Sequence, residues 1–174
     1  MFSIASCSIP DDALLNNHLG EGTCTDCYVT DIHGVVSQAR FVTAFYTTPI
    51  FKLERFILKF AVSKPSTDAQ ASQLAAGSID AFAAWNVEAR SENQLLMSDF
   101  HRRTRSWLMV VPASGTNGAC TRLYFGSAVV PVQHSKTGKT ALGFGFRALL
   151  GFHKLYSAVL LYAARSRLEA QQRS

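Results

Sequence analysis

Charged residues are scarce in this chain. Only 17% of its 174 residues are Asp, Glu, Lys or Arg, against the roughly 25% usual in soluble domains. Hydrophobic residues make up 48%, which excludes a disordered chain, because disorder requires low hydrophobicity and high net charge. The length suffices to bury one sizeable core, which twelve Phe, five Tyr and two Trp would make aromatic. The sequence therefore predicts a single domain over residues 1–174.

Cysteine is also sparse. The four cysteines are too few for a disulfide scaffold, so reduced thiols and a cytoplasmic location are expected. Cys24 and Cys27 have the spacing of a metal or redox pair, but no second such pair completes a zinc site. The pair leads into a strand rather than opening a helix, where the dipole would activate a thiol. Ordinary thiols without metal or cofactor are expected, and a metal or redox role is the less favoured alternative.

Several binding signatures are missing. Gly143 and Gly145 lack the third glycine of a dinucleotide-binding loop. Charges at Arg147 and Lys154 interrupt the most apolar segment, so we expect no transmembrane span. The net charge of +5 permits an anionic partner. However, the basic run 101–105 carries no interleaved aromatics, so nucleic acid is not predicted as a partner.

The hydrophobic pattern predicts helices in the first half of the chain and strands in the second. A short strand (Phe2–Ile9), a short helix ending at Leu19 and a strand (Cys27–Ile32) precede helices that open at Ser37, at Pro49 and near Thr67. From Ala83 the period changes to two. Four strands should then form an antiparallel meander; they begin at Trp85, Gln94, Thr104 and Cys120, and the third ends at Pro112.

A long helix is predicted from Leu142 to about Ala170. Arg147, Lys154 and Arg165 fall near one line of that helix, which is the predicted solvent face. The opposite line is apolar and should pack across the sheet; it consists of Leu142, Gly145, Leu149, Phe152, Tyr156, Leu160 and Ala163.

Local motifs accompany this order of elements. They are Leu74–Gly77, Phe82, Trp85–Glu88, Arg105–Leu108, Thr121–Leu123 and Gly151–Tyr156. Together they resemble the helix-grip fold of the START-like, polyketide-cyclase-like superfamily, and in particular a bacterial family of unknown function within it. The resemblance spans residues 66–164 and leaves residues 1–31 outside. It implies an α+β fold in which a curved antiparallel sheet wraps a long C-terminal helix, with additional helices between the first strands and the meander.

The resemblance also implies a cavity between the sheet and the C-terminal helix that binds a small apolar or aromatic molecule. The residues predicted to line it are Trp85, Trp107, Phe125, Phe152, His153 and Tyr156. The same side chains could instead fill a core, because ligand pockets are built mainly from apolar residues.

Two other functions stay open. A cyclase-like or hydrolase-like enzyme would use the same cavity, with His153 or Asp99 as acid or base. Glu88 and His101 are further acid or base candidates. Strand alternation places Glu88 on the face opposite Trp85, which is expected to face solvent, so a structural ion pair is expected for Glu88. A peripheral interaction protein would instead use the basic line of the last helix. No catalytic residue and no oligomeric state is assigned.

Overall fold

The computed structural model describes residues 3–20, 22–53, 66–115, 118–129 and 144–173, and for residues 144–155 it describes the backbone alone. The strands are β1 (Ala5–Ser6), β2 (Cys24–His33), β3 (Ala81–Phe82), β4 (Trp85–Arg90), β5 (Gln94–Asp99), β6 (Thr104–Gly115) and β7 (Gly118–Val129). A 3-10 helix covers Leu14–His18, and α-helices cover α1 (Gln38–Tyr46), α2 (Asp68–Ala75) and α3 (Phe144–Arg173). Residues 49–53 are also helical.

The seven strands form one antiparallel sheet in the order β1-β2-β7-β6-β5-β4-β3. Strands β4 to β7 are the predicted meander, since each pairs with the next along the chain. The prediction that the third strand ends at Pro112 is wrong, because β6 continues through Pro112 to Gly115. The β5 partner of β6 stops at Met109, so Pro112 lies where β6 has become an edge, the place in a sheet that tolerates proline.

Local capping residues fix the ends of the first two helices. The Ser37 hydroxyl accepts a hydrogen bond from the Arg40 amide at the start of α1. Thr67 and Gln70 form a reciprocal capping box at the start of α2. Gly77 has a φ of 77° just beyond α2, a left-handed conformation that favours glycine and ends the helix. The predicted starts at Ser37 and near Thr67 are therefore confirmed.

The inner face of the sheet carries the main core. Phe41 and Phe45 of α1 pack there against Leu108, Phe125 and other buried side chains. Helix α3 also packs on this sheet, and a stripe of its side chains is buried: Ser157, Leu160, Leu161, Ala164, Arg165 and Leu168. No helix in the part of the chain that the structure describes is long and apolar enough to cross a membrane.

The predicted orientation of the last helix is only partly correct. Leu160 is buried as expected, but Arg165, expected in solvent, is only 7% exposed. The buried stripe is rotated about the helix axis by about 100° from the predicted stripe, which is the angle between successive residues of an α-helix. Arg165 tolerates burial because its guanidinium lies 2.9 Å from a Glu169 carboxylate oxygen and 3.4 Å from the Thr30 hydroxyl. The side chains of Leu149, Arg147 and Lys154 lie outside the described residues.

The outer face of the sheet is covered by the N-terminal segment. Leu15 of the 3-10 helix packs there with Trp107, Leu96 and Cys27 in a second buried cluster. Strand β1 and this helix are shorter than the predicted Phe2–Ile9 strand and the helix ending at Leu19. The expectation that this face is exposed to solvent is wrong, because the N-terminal segment supplies a second apolar layer.

Candidate functional site

Three of the predicted ligand residues share the inner core. Phe125 is buried there, and the half-buried Trp85 and Tyr156 pack against the same cluster. Strand β4 alternates between half-buried and exposed residues, with Trp85 inward and Asn86 outward. The Trp85 orientation predicted from strand alternation is therefore confirmed. The side chains of Phe152 and His153 lie outside the described residues, so their place in a cavity stays a prediction.

Trp107 lies apart from the other predicted ligand residues. It pairs with Gly126, whereas its neighbour Leu108 pairs with Phe125, and successive residues of a strand point to opposite faces. Its ring is fully buried in the outer cluster. Its Nε1 atom donates a hydrogen bond of 2.8 Å to Gln94 Oε1. Trp107 therefore faces the N-terminal segment, not the C-terminal helix.

Two of the acid and base candidates, Glu88 and Asp99, have structural partners. The Arg105 Nε atom lies 3.1 Å from a Glu88 carboxylate oxygen, which confirms the expected ion pair on the outer face. His18 approaches the other Glu88 oxygen to 3.6 Å. Asp99 Oδ1 accepts hydrogen bonds from the amides of Arg103 and Thr104 and so holds the β5–β6 turn. These carboxylates stabilise turns and strands.

A cleft of about 860 Å³ opens at the end of the sheet where α1 begins. We call it the α1 cleft. Its walls are the start of α1, the β4–β5 turn, and the part of β6 and β7 that extends beyond β5. The apolar lining consists mainly of Val35, Val36, Val42, Leu95, Val110, Val111, Pro112 and Ala113. The four predicted ligand residues whose side chains the structure describes do not line this cleft: Trp85, Trp107, Phe125 and Tyr156.

Gln38 contributes a buried side-chain atom to this cleft that has no hydrogen-bond partner among the described residues. Its Nε2 atom donates to the Leu108 carbonyl at 3.1 Å, whereas its buried Oε1 atom has no partner among the described residues. Arg90, in contrast, donates to the carbonyls of Leu74 and Ile79. Thr121 donates to the Gly34 carbonyl and accepts from the Val36 amide. The cleft thus combines apolar walls with the buried Gln38 amide oxygen, and the exposed carboxylate of Glu92 also lines it.

The sequence carried only a weak signal for this cleft. Ser37 marks the start of α1, and the Ser114–Gly118 turn marks a hairpin, but nothing in the sequence indicates that the two meet. The α1 residues and the β7 residues of the wall are about eighty positions apart, as in the 2.9 Å hydrogen bond from the Val36 amide to Thr121. Only the tertiary fold joins them.

A second, smaller recess of about 340 Å³ lies beside β1 and β2. Cys7 and Cys27 both line it, and their Sγ atoms are 3.3 Å apart. Burial, the contact with Cys7 and the negative charge of Asp26 raise the pKa of the Cys27 thiol. All four cysteines are free thiols, and no three potential metal ligands cluster within the described ranges. The close cysteine pair is therefore Cys7–Cys27, which includes only one cysteine of the Cys24–Cys27 motif.

The chain matches no family model, and no curated protein matches it. The resemblance to the START-like superfamily therefore stays a prediction from the motifs quoted above.

Proposed function

We propose that this chain is a small-molecule-binding protein with a helix-grip architecture of the START-like type. Three features support the architecture. The long strand β2 pairs with the last strand, β7; the helices α1 and α2 are inserted between β2 and the meander; and the C-terminal helix α3 packs on the sheet. The sequence motifs that resemble the superfamily include strand β4 and the Arg105–Leu108 segment of β6.

The observation that carries the binding proposal is the α1 cleft. Its volume of about 860 Å³ falls within the range of roughly 300–1,000 Å³ typical of ligand pockets. A buried acceptor without a partner costs free energy, and a ligand hydroxyl or N–H group would satisfy Gln38 Oε1. The ligand class that fits is therefore an apolar or aromatic molecule with at least one hydrogen-bond donor.

Binding is favoured over catalysis by the structural partners of Glu88 and Asp99, two of the acid or base candidates whose side chains the structure describes. Glu88 is held by Arg105, and Asp99 by two turn amides. Neither carboxylate lines the α1 cleft. A general acid or base must reach its substrate within hydrogen-bond distance, so these two residues are better explained as structural groups.

The test is a titration with 8-anilinonaphthalene-1-sulfonate, a fluorescent probe with an apolar body and an N–H donor. Ala75, the last residue of α2, lines the cleft and packs against the inner core, and Ala75→Trp would fill part of the cleft. Ala69 is exposed on α2 and does not line the cleft, so Ala69→Trp is the matched control. Thermal unfolding of both variants establishes that they fold.

We expect Ala75→Trp to weaken probe binding by about tenfold, equivalent to 1.4 kcal/mol, with Ala69→Trp unchanged. Gln38→Met should weaken binding about fivefold or more through loss of the acceptor. Native mass spectrometry of the purified protein should show a bound molecule that Ala75→Trp excludes. Equal probe affinity in both folded tryptophan variants would refute the α1 cleft as the binding site.

A further inference from the structure

The Cys7 and Cys27 thiols face each other across two paired strands. The β1–β2 register pairs Ala5 with Val29 and Ser6 with Tyr28. The next position along this register joins Cys7 to Cys27, and the Cys7 amide donates to the Cys27 carbonyl at 3.0 Å. Their Sγ atoms are 3.3 Å apart, so a movement of about 1.3 Å would bring them to the 2.03–2.05 Å of a disulfide bond.

The two thiols differ in access to solvent. Cys7 is half-buried, whereas Cys27 is buried beneath the N-terminal segment in the outer cluster. Both contribute to the wall of the recess of about 340 Å³, which also contains Ser6, Ser8 and Thr25. A small oxidant can therefore reach Cys7 first, and Cys27 lies next to it.

We propose that Cys7 and Cys27 are a redox modification site that a hydroperoxide converts to an intramolecular disulfide. The Cys7 thiolate attacks one peroxide oxygen, the O–O bond breaks, and Cys7 becomes a sulfenic acid while the peroxide is reduced to an alcohol or water. The Cys27 sulfur then attacks Cys7 Sγ. The S–S bond forms as the S–O bond breaks, and the departing hydroxide takes the Cys27 proton as water.

The disulfide would fasten a weakly held edge of the sheet. Strand β1 has only two residues, and the chain between the two cysteines includes the 3-10 helix that covers Trp107. The cross-link would close a loop over a sequence separation of 20 residues and so restrict the unfolded chain. Oxidation should therefore raise the thermal unfolding midpoint of the protein by about 5 °C, and dithiothreitol should reverse this increase.

Peptide mapping tests the site directly. The full-length protein is treated with hydrogen peroxide, remaining thiols are blocked with N-ethylmaleimide, and the chain is cut by a protease that cleaves before aspartate. This cleavage separates residues 1–10, 12–25 and 26–30, each of which contains one cysteine. We expect the fragments 1–10 and 26–30 to be joined by a disulfide, with a mass two hydrogens below the sum of the two reduced fragments. The number of free thiols should fall from four to two.

Two variants sharpen the test. Cys7→Ser should abolish the linked fragments and the increase in the unfolding midpoint, whereas Cys24→Ser should retain both. Linkage of fragment 12–25 to either other fragment would overturn the proposal. So would a wild-type protein that ends as a sulfenic acid or higher oxide at Cys7 without a link, or that keeps four free thiols under conditions that oxidise free cysteine.

Discussion

Gly126 is the position where the smallest possible change should have a clear effect. It lies on β7 opposite Trp107 and Cys27 in the flanking strands. A Cβ atom placed on Gly126 would come within 2.8 Å of Trp107 Cε3 and 3.1 Å of Leu15 Cδ2. The first distance is shorter than van der Waals contact, so Gly126→Ala forces the indole ring to move.

The indole ring has little freedom to do so. Trp107 is fully buried, and its Nε1 atom is fixed by the 2.8 Å hydrogen bond to Gln94 Oε1. Overpacking of a well-filled core costs about 1–3 kcal/mol, and replacing glycine by alanine regains about 0.4–1 kcal/mol through the unfolded chain. We therefore expect Gly126→Ala to lower the free energy of unfolding by about 1–2 kcal/mol and the melting temperature by about 2–8 °C.

Urea denaturation followed by tryptophan fluorescence measures this loss. Gly20→Ala is the control, because a Cβ atom there meets nothing within 4 Å, and its unfolding free energy should equal or slightly exceed that of the wild type. In a Trp107→Phe background the smaller ring relieves the clash, so Gly126→Ala should cost at least about 0.5 kcal/mol less. A Gly126→Ala protein as stable as the wild type would refute the close packing of the outer face.

Three further predictions concern other contacts. Arg165→Ala should lower the free energy of unfolding by about 1–2 kcal/mol in urea denaturation, because it leaves Glu169 without its buried partner. Arg173→Ala, at an exposed position, should lower it much less. Equal losses in the two variants would contradict the orientation of α3. Ser37→Ala should cost about 1 kcal/mol through loss of the α1 cap, and an unchanged melting temperature would count against that cap. The raised pKa of Cys27 means that the folded protein retains a proton that the unfolded chain releases above its ordinary pKa of 9.0. Stability under reducing conditions should therefore fall from pH 8 to pH 10, and by less in Cys27→Ala; an equal fall in both proteins would refute the assignment.

The secondary structure was predictable wherever a local signal decides it. Ser37 and Gly77 act through backbone groups within a few residues of themselves, and the alternation that begins at Trp85 reflects one half-buried face. The end of β6 was not predictable in this way. Pro112 argues locally for the end of a strand, but β6 extends because β7 still pairs with it there, and that pairing is a property of the sheet.

The orientation of α3 shows why charge is an incomplete guide to exposure. A charged residue on a helix usually indicates a side exposed to solvent, and Arg165 was one of the residues that defined the predicted solvent face. Its long side chain instead reaches Glu169 one turn away and Thr30 on β2. The Glu169 carboxylate, four residues after Arg165, is visible in the sequence. The Thr30 hydroxyl could not be identified as a partner, because only the fold brings β2 against this helix.

The N-terminal segment, which lies outside the sequence resemblance, contributes to both the packing and the candidate site. Gln94 is buried, and its side chain is satisfied largely from this segment. Its Oε1 atom accepts from the Leu14 amide at 2.9 Å as well as from Trp107, and its Nε2 atom donates to the Asp12 carbonyl at 3.0 Å. Gln94 also lines the α1 cleft. The Gln94 side chain therefore joins the outer layer to the buried indole, and the same residue lies at the wall of the cleft. Because a buried amide that loses its partners is costly, the N-terminal segment is an integral layer of this fold.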